Sequence, residues 1–195
     1  MKELITVFVP SRAELRRWLL EHHTQEESIW LVFHKKSSGL PTLSYDDIVE
    51  EVLCFGWIDS LPGKVDETRT KLRLSPRKPG SGWSRINKQR IEKLMSAGLM
   101  HPSGLLVIEK ARKDGSWDLL NEVDELKVPE DLVEAFTTHA GSAEKFAAFA
   151  PSSKRGILEW IQQAKTPETR LRRVSETARL ASLGLKANFP ESKGK

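Results

Sequence analysis

Apolar positions follow two different periods along this chain, and the change from one to the other divides it. Leu4 to Pro10 (LITVFVP) is β-branched and aromatic and closes on a proline, which predicts a strand. Ser11 with Glu14 three residues on forms a capping-box pattern, and Leu15, Trp18 and Leu19 follow at helical spacing. Ser28 to Lys36 (SIWLVFHKK) is a second strand, too continuous in its apolar run for a solvated edge. Ser44 opens a helix with Asp46 and Asp47 in its first turn and Ile48, Val49, Val52 and Leu53 on one face, ending at Gly56. Two short strands follow, Trp57 to Leu61 and Thr70 to Leu74, joined through Pro62-Gly63 and a polar turn. The second alternates Lys71, Leu72, Arg73 and Leu74, so one face is apolar and the other cationic.

From Ser84 onward the period is helical. Ser84 caps a helix running to Gly98, and Pro102 is well placed as the first residue of another ending at Gly115. Asp118 to Val128 is acidic and without clear period, and reads as a linker. Helices are then expected over Pro129 to Thr137, Ser142 to Phe149, Ser152 to Ala164 and Pro167 to Leu183, the last with an apolar stripe at Leu171, Val174, Ala178, Ala181 and Leu185. Strands confined to the first half predict an α+β protein: a small, largely antiparallel sheet with helices in an N-terminal part (residues 1–117), and an acidic linker and all-helical region in a C-terminal part (118–195).

Composition adds limits. With 38% hydrophobic and 30% charged residues and a mean hydropathy of −0.43, the chain has the make-up of a water-exposed globular protein. The single cysteine, Cys54, permits no internal disulfide and lies on an apolar helix face, which favours inert burial. The apolar run at the start is too short for a signal-peptide core, and no window reaches the ~18 apolar residues of a membrane span, so the expectation is a cytoplasmic protein without membrane insertion. His22, His23, His34, His101 and His139 show no metal-ligand spacing, and neither a metal nor a cofactor is expected.

Net charge is only +4, but it is unevenly distributed. Lys64, Arg69, Lys71, Arg73, Arg77, Lys78, Arg85, Lys88, Arg90 and Lys93 crowd the stretch from Leu61 to Met95, whereas Asp118 to Glu144 is acidic. The connection SPRKPGSGWS after the cationic strand has the parts of an anion site. Gly80 and Gly82 let backbone approach a ligand, and a helix N-terminus follows at Ser84. It is neither a Walker loop nor a dinucleotide fingerprint. The expected ligand site is a basic, tryptophan-walled groove. In it Arg73, Arg77 and Lys78 neutralise charge, Trp57 and Trp83 stack, Gly82 gives access, and Ser84 and Asn87 orient a phosphate-bearing molecule or nucleic acid. Asp59 is either a structural partner of Arg73 or a base. Other readings fit the same residues: a strand-to-helix connection with solvated charges, an enzyme using Asp59 or His34, or an interaction module in which the acidic stretch docks on the basic hairpin of its own chain or of a second copy.

The stretches LCFGWIDS, RLSPRKPGSGWSRINKQRIEKLMSAGLM and AKTPETRLRRVSETARLA make the chain resemble the YdeI/OmpD-associated family, also labelled bacteriocin-protection proteins. That family's pattern reads Gly-Trp-Ile-Asp, then Arg-Phe-Thr-Pro-Arg, a Gly/Ser loop and Trp-Ser-x-x-Asn. Gly56, Trp57, Ile58, Asp59, Arg73, Pro76, Arg77, Trp83, Ser84 and Asn87 match it, while Leu74 and Ser75 depart from the Phe-Thr pair. The resemblance implies a small sheet with helices followed by a helical C-terminal part, in a setting of stress or bacteriocin resistance. It brings no agreed reaction, cofactor or catalytic residue.

Overall fold

The computed structural model describes residues 4–189. They form two compact units, one ending at Asp118 and the other beginning at Leu119. The first contains β1 (Ile5–Phe8), α1 (Arg12–His22), β2 (Ile29–His34), α2 (Tyr45–Cys54), β3 (Trp57–Lys64), β4 (Arg69–Pro76), α3 (Arg85–Ser96) and α4 (Pro102–Lys113). The second contains α5 (Asn121–Asp124), α6 (Glu130–Thr137), α7 (Ser142–Ala147), α8 (Pro151–Gln162) and α9 (Pro167–Ser182). The fold is α+β, with every strand of the described residues in the first unit.

The sheet order is β1-β2-β4-β3, with β1 parallel to β2 and the other two pairings antiparallel. The parallel pair departs from an all-hairpin arrangement because α1 carries the chain back to the end of the sheet where β1 began. β2 is central, in keeping with its apolar run. Its alternate residues serve two faces. Ile29 and Leu31, with Leu72 and Leu74 of β4, pack under Leu15 and Leu19 of α1 and Ile48 and Val52 of α2. Trp30, Val32 and His34 pair with Arg73, Lys71 and Arg69 and point away from that core.

The hairpin is longer than its sequence suggests. Pro62 and Gly63, expected as the turn, lie inside β3, and the turn falls at Val65 to Thr68, where the Asp66 carboxylate accepts the N–H groups of Thr68 and Arg69. A strand interior tolerates Pro62 because β3 is an edge strand, and the register shifts between Asp59 and Pro62.

The second unit has its own core of Leu120, Val123, Leu132, Phe146, Ile157, Leu158, Ile161, Val174, Ala178 and Ala181. Leu120 and Val123 anchor the acidic stretch that reads as a linker, so that stretch is packed structure. The apolar stripe of α9 begins one turn later than its spacing suggests. Leu171 is 68% exposed, while Val174, Thr177, Ala178 and Ala181 are buried. Thr177 is tolerated there because its hydroxyl donates to the Arg173 carbonyl.

Candidate functional site

β4 delivers the chain to the candidate site. Beyond Pro76, the N–H of Arg77 donates to the Gly56 carbonyl (3.0 Å), which fixes the backbone where the strand ends. The connection then turns at Gly80, whose φ of 73° lies in the left-handed region, and reaches Trp83. Trp83 is fully buried, with its ring 5.1 Å from that of Trp117. Its face is already taken: the Arg77 guanidinium lies 3.6 Å from the ring centroid. Trp83 therefore seats a cation of its own chain, and it also lines the cavity beside that cation.

Arg77 is 7% exposed. Its Nη2 donates to the Gly82 carbonyl, but Nε and Nη1 are buried without a partner. Among the described residues it makes no ion pair with a carboxylate, and burial alone pushes its pKa down to about 10, so it remains a cation at neutral pH. Leaving charged donors unpaired in a protein interior costs several kcal/mol, which is why buried arginines are almost always answered by an acid. Beside it is a cavity of about 110 Å³ whose lining includes Arg77, Lys78, Ser81, Lys110, Asp114 and Ser116. At ~30 Å³ per water, that is room for a few waters or one small oxyanion. Lys78 and Lys110 make no ion pair among the described residues. Asp114 brings the opposing charge, held below its ordinary range by Ser116 and the Gly80 N–H, which it accepts while pinning the loop. Three cations thus face one carboxylate that is already occupied.

The other expected site residues are dispersed. Trp57 is fully buried, edge-on to Trp18, and its Nε1 donates to the His23 carbonyl (3.1 Å), so it is a core residue. Ser84 is the N-cap of α3 and accepts the Asn87 N–H, while the Asn87 side chain accepts from Arg90 (3.1 Å). Gly82 contributes only its carbonyl to Arg77. Arg73 lies on the outer sheet face and donates to the Ser28 hydroxyl (3.2 Å) rather than to Asp59. Asp59 accepts instead from the Tyr45 hydroxyl (2.8 Å), whose pKa rises to about 12 through partial burial and this carboxylate. His34 pairs with Arg69 in the ladder and Asp59 with Leu74, five residues further along β4, or about 17 Å at strand spacing. They share no groove.

Sequence reasoning misses Lys110, Asp114 and Ser116, which α4 and its C-terminal turn bring to Arg77 from some thirty residues away. The Gly115 stop signal marks that turn but not its destination. It also misses the acids that answer the basic stretch. Arg90 pairs with Asp46, Lys93 with Glu50, Arg69 with Asp66 and Lys88 with Asp118, all inside the first unit. Asp124 and Asp131 pair with Arg155 and Arg170 of the second. Two larger cavities differ from this one in their lining. One of about 310 Å³ is lined by Arg12, Arg16, Glu50, Glu51 and Lys93, which pair with one another, and one of about 520 Å³ in the second unit is lined chiefly by apolar side chains.

Two family models match the chain. One, described as a domain of unknown function (DUF8412), matches residues 7–107, more than half of the chain. The other, described as bacteriocin-protection, YdeI or OmpD-associated, matches residues 125–184. The chain belongs to the DUF8412 family and carries a YdeI/OmpD-associated domain. The division follows the two compact units: the DUF8412 match covers nearly all of the sheet and Arg77, while Lys110, Asp114 and Ser116 of its cavity lie just beyond the match in the same unit, and the YdeI/OmpD-associated region contains the apolar cavity. Of the three stretches that carry the family resemblance, two fall in the DUF8412 region and only AKTPETRLRRVSETARLA falls in the YdeI/OmpD-associated region. No curated protein and no solved structure matches the chain. No described helix is long and apolar enough to cross a membrane.

Proposed function

We propose that the protein is a non-catalytic binding protein for a phosphate-bearing ligand, and that its DUF8412 region takes the phosphate group at Arg77. The observation that carries this reading is a buried guanidinium with two unpaired donor nitrogens, Nε and Nη1, beside a small cavity. An oxyanion satisfies such a donor with a charge-assisted hydrogen bond, stronger than the one a water makes. Lys78 and Lys110 raise the local anion concentration. The cavity admits a terminal phosphate rather than a base or a sugar, so the rest of the ligand lies outside it. Tolerance of stress or bacteriocin is the proposed setting, taken from the family description alone.

Thermal melting in inorganic phosphate and in a nucleoside monophosphate tests this. Ligand at about 100 times its Kd stabilises by about 2.7 kcal/mol, a readable rise in Tm. The rise is expected to vanish in Arg77→Gln and to shrink in Lys78→Ala and Lys110→Ala, which leave the Arg77–Trp83 stack in place. An equal rise in all four proteins, or none in the wild type, overturns the reading.

A further inference from the structure

The outer face of the sheet carries a second, separate arrangement. Because side chains alternate along a strand, Trp30, Val32 and His34 of β2 share this face with Phe8 of β1 and with Lys71, Arg73 and Ser75 of β4. None belongs to the core of the first unit. Val32 is nevertheless only 4% exposed, covered across the strands by its neighbours on this face. Phe8 is 47% exposed and meets the His34 ring edge-on at 5.1 Å. Lys71 holds its ammonium 4.3 Å above the Trp30 ring, its stem running over Gly63, where a Cβ would come within 2.9 Å of it. Arg73 gives one N–H to Ser28 and keeps a buried Nε without a partner. Neither Lys71 nor Arg73 pairs with a carboxylate among the described residues, in contrast to Arg69, Arg90 and Lys93 of the same basic stretch. The sheet thus presents partly open aromatic rings flanked by two unanswered cations two residues apart on one strand.

We propose that this face binds single-stranded nucleic acid, with bases stacking on Trp30 and Phe8 and the backbone phosphates meeting Lys71 and Arg73. A single strand offers exposed base faces and a regular row of phosphates, both of which the face complements. A duplex hides its base faces, and an acidic peptide leaves the rings unused. The lysine above Trp30 does not block the site. Its ammonium is mobile on a four-carbon stem and exchanges the ring for a phosphate as a base arrives. This surface is independent of the Arg77 cavity, since Arg73 and Arg77 face different surroundings.

Fluorescence anisotropy of labelled oligothymidylate and oligouridylate with the full chain tests the proposal. Binding is expected at low salt, with Trp30→Ala weakening it about tenfold or more, as loss of one stacked base does. Trp30→Phe keeps most of the affinity. Lys71→Ala and Arg73→Gln are each expected to lower the log–log salt slope by about 0.7, one phosphate contact apiece. Arg77→Gln leaves oligonucleotide affinity unchanged, which separates this surface from the phosphate cavity. Failure of both oligonucleotides to bind at low salt overturns the proposal, as does an unchanged affinity in Trp30→Ala with native far-UV circular dichroism. Preference for a duplex or for an acidic peptide of equal charge overturns it equally.

Discussion

At the scale of single residues, His101 and Gly104 show how one atom's surroundings decide an outcome. His101 is the N-cap of α4: its Nδ1 accepts the Ser103 N–H, which requires that nitrogen to be unprotonated. Its ring lies 4.6 Å from His23 and stacks at 4.7 Å on Phe55, which also carries the Arg16 guanidinium at 5.4 Å. Burial first, then His23 and Arg16, lower its pKa below the ordinary 6.5. Folding therefore disfavours protonated His101, so its contribution is complete above the unfolded pKa and is lost as pH falls below it. Urea midpoints are expected to decline from pH 6.5 toward 5, and His101→Asn, which keeps a capping oxygen, is expected to flatten that decline. Gly104 tests a different balance. Helix propensity alone makes Gly104→Ala stabilising by about 1 kcal/mol. A Cβ there, however, would lie 2.2 Å from the Cys54 carbonyl oxygen, so α4 must shift off the end of α2. We expect a net loss of about 2 kcal/mol in chemical denaturation; a gain would show that the two helices separate freely. Neither effect is legible in the sequence, where His101 and Gly104 look like parts of a routine helix start. Arg77 is named by the sequence as a ligand cation, but its burial is not: a cation beside lysine and proline reads as solvated, and it is Trp83, held by Trp117 from a distant turn, that packs on it.

At the scale of elements, what the sequence reveals is what is locally determined. Ser11, Ser44, Ser84 and Thr166 each stand as an N-cap with the side chain accepting an N–H, and at Ser44 the reciprocal bond to Asp47 completes a capping box. These rest on residues three apart, so one strand of text contains the whole interaction. The length of the hairpin and the parallel pairing of β1 with β2 depend on which strands meet, and were not legible. The docking of α1 on α2 belongs to this second class. Glu51, 4% exposed at its side chain, accepts from Arg12 (2.7 Å) and Arg16 (2.8 Å), while Glu50 joins Arg12 (3.0 Å) to Lys93 of α3 (2.7 Å). Removing one member of a fully buried pair costs about 3–5 kcal/mol. Arg12 and Arg16 keep 36% and 32% of their side chains exposed and recover hydration when unpaired. We therefore expect Glu51→Ala to cost about 2 kcal/mol and Arg16→Ala about 1, measured by urea denaturation. A loss below about 0.5 kcal/mol for Glu51→Ala would show that the network fixes geometry without stabilising it.

At the scale of the whole molecule, the buried core divides where the two compact units do. The basic stretch and the acidic stretch invite pairing with each other when read as text, and one such pair forms, Lys88 with Asp118, while other charges of each stretch meet partners close by in the fold. Cations of α3 meet Asp46, Glu50 and Asp118, and the acids after residue 118 meet Arg155 and Arg170. The buried apolar residues fall into two clusters, one ending at Ala111 and the other beginning at Leu120. Ile91 and Ile157 are fully buried, one in each. Truncation of such a residue to alanine costs about 2–5 kcal/mol, a large part of a small domain's stability, so each substitution reports on the unit that contains it. We expect Ile91→Ala to raise amide exchange in β2, β4 and α3 while α8 and α9 keep their protection, and Ile157→Ala to do the reverse. If either substitution instead accelerates exchange throughout both units, they unfold as one cooperative block. In that case the bacteriocin-protection, YdeI or OmpD-associated region would depend for its stability on the sheet that carries Arg77 and Trp30.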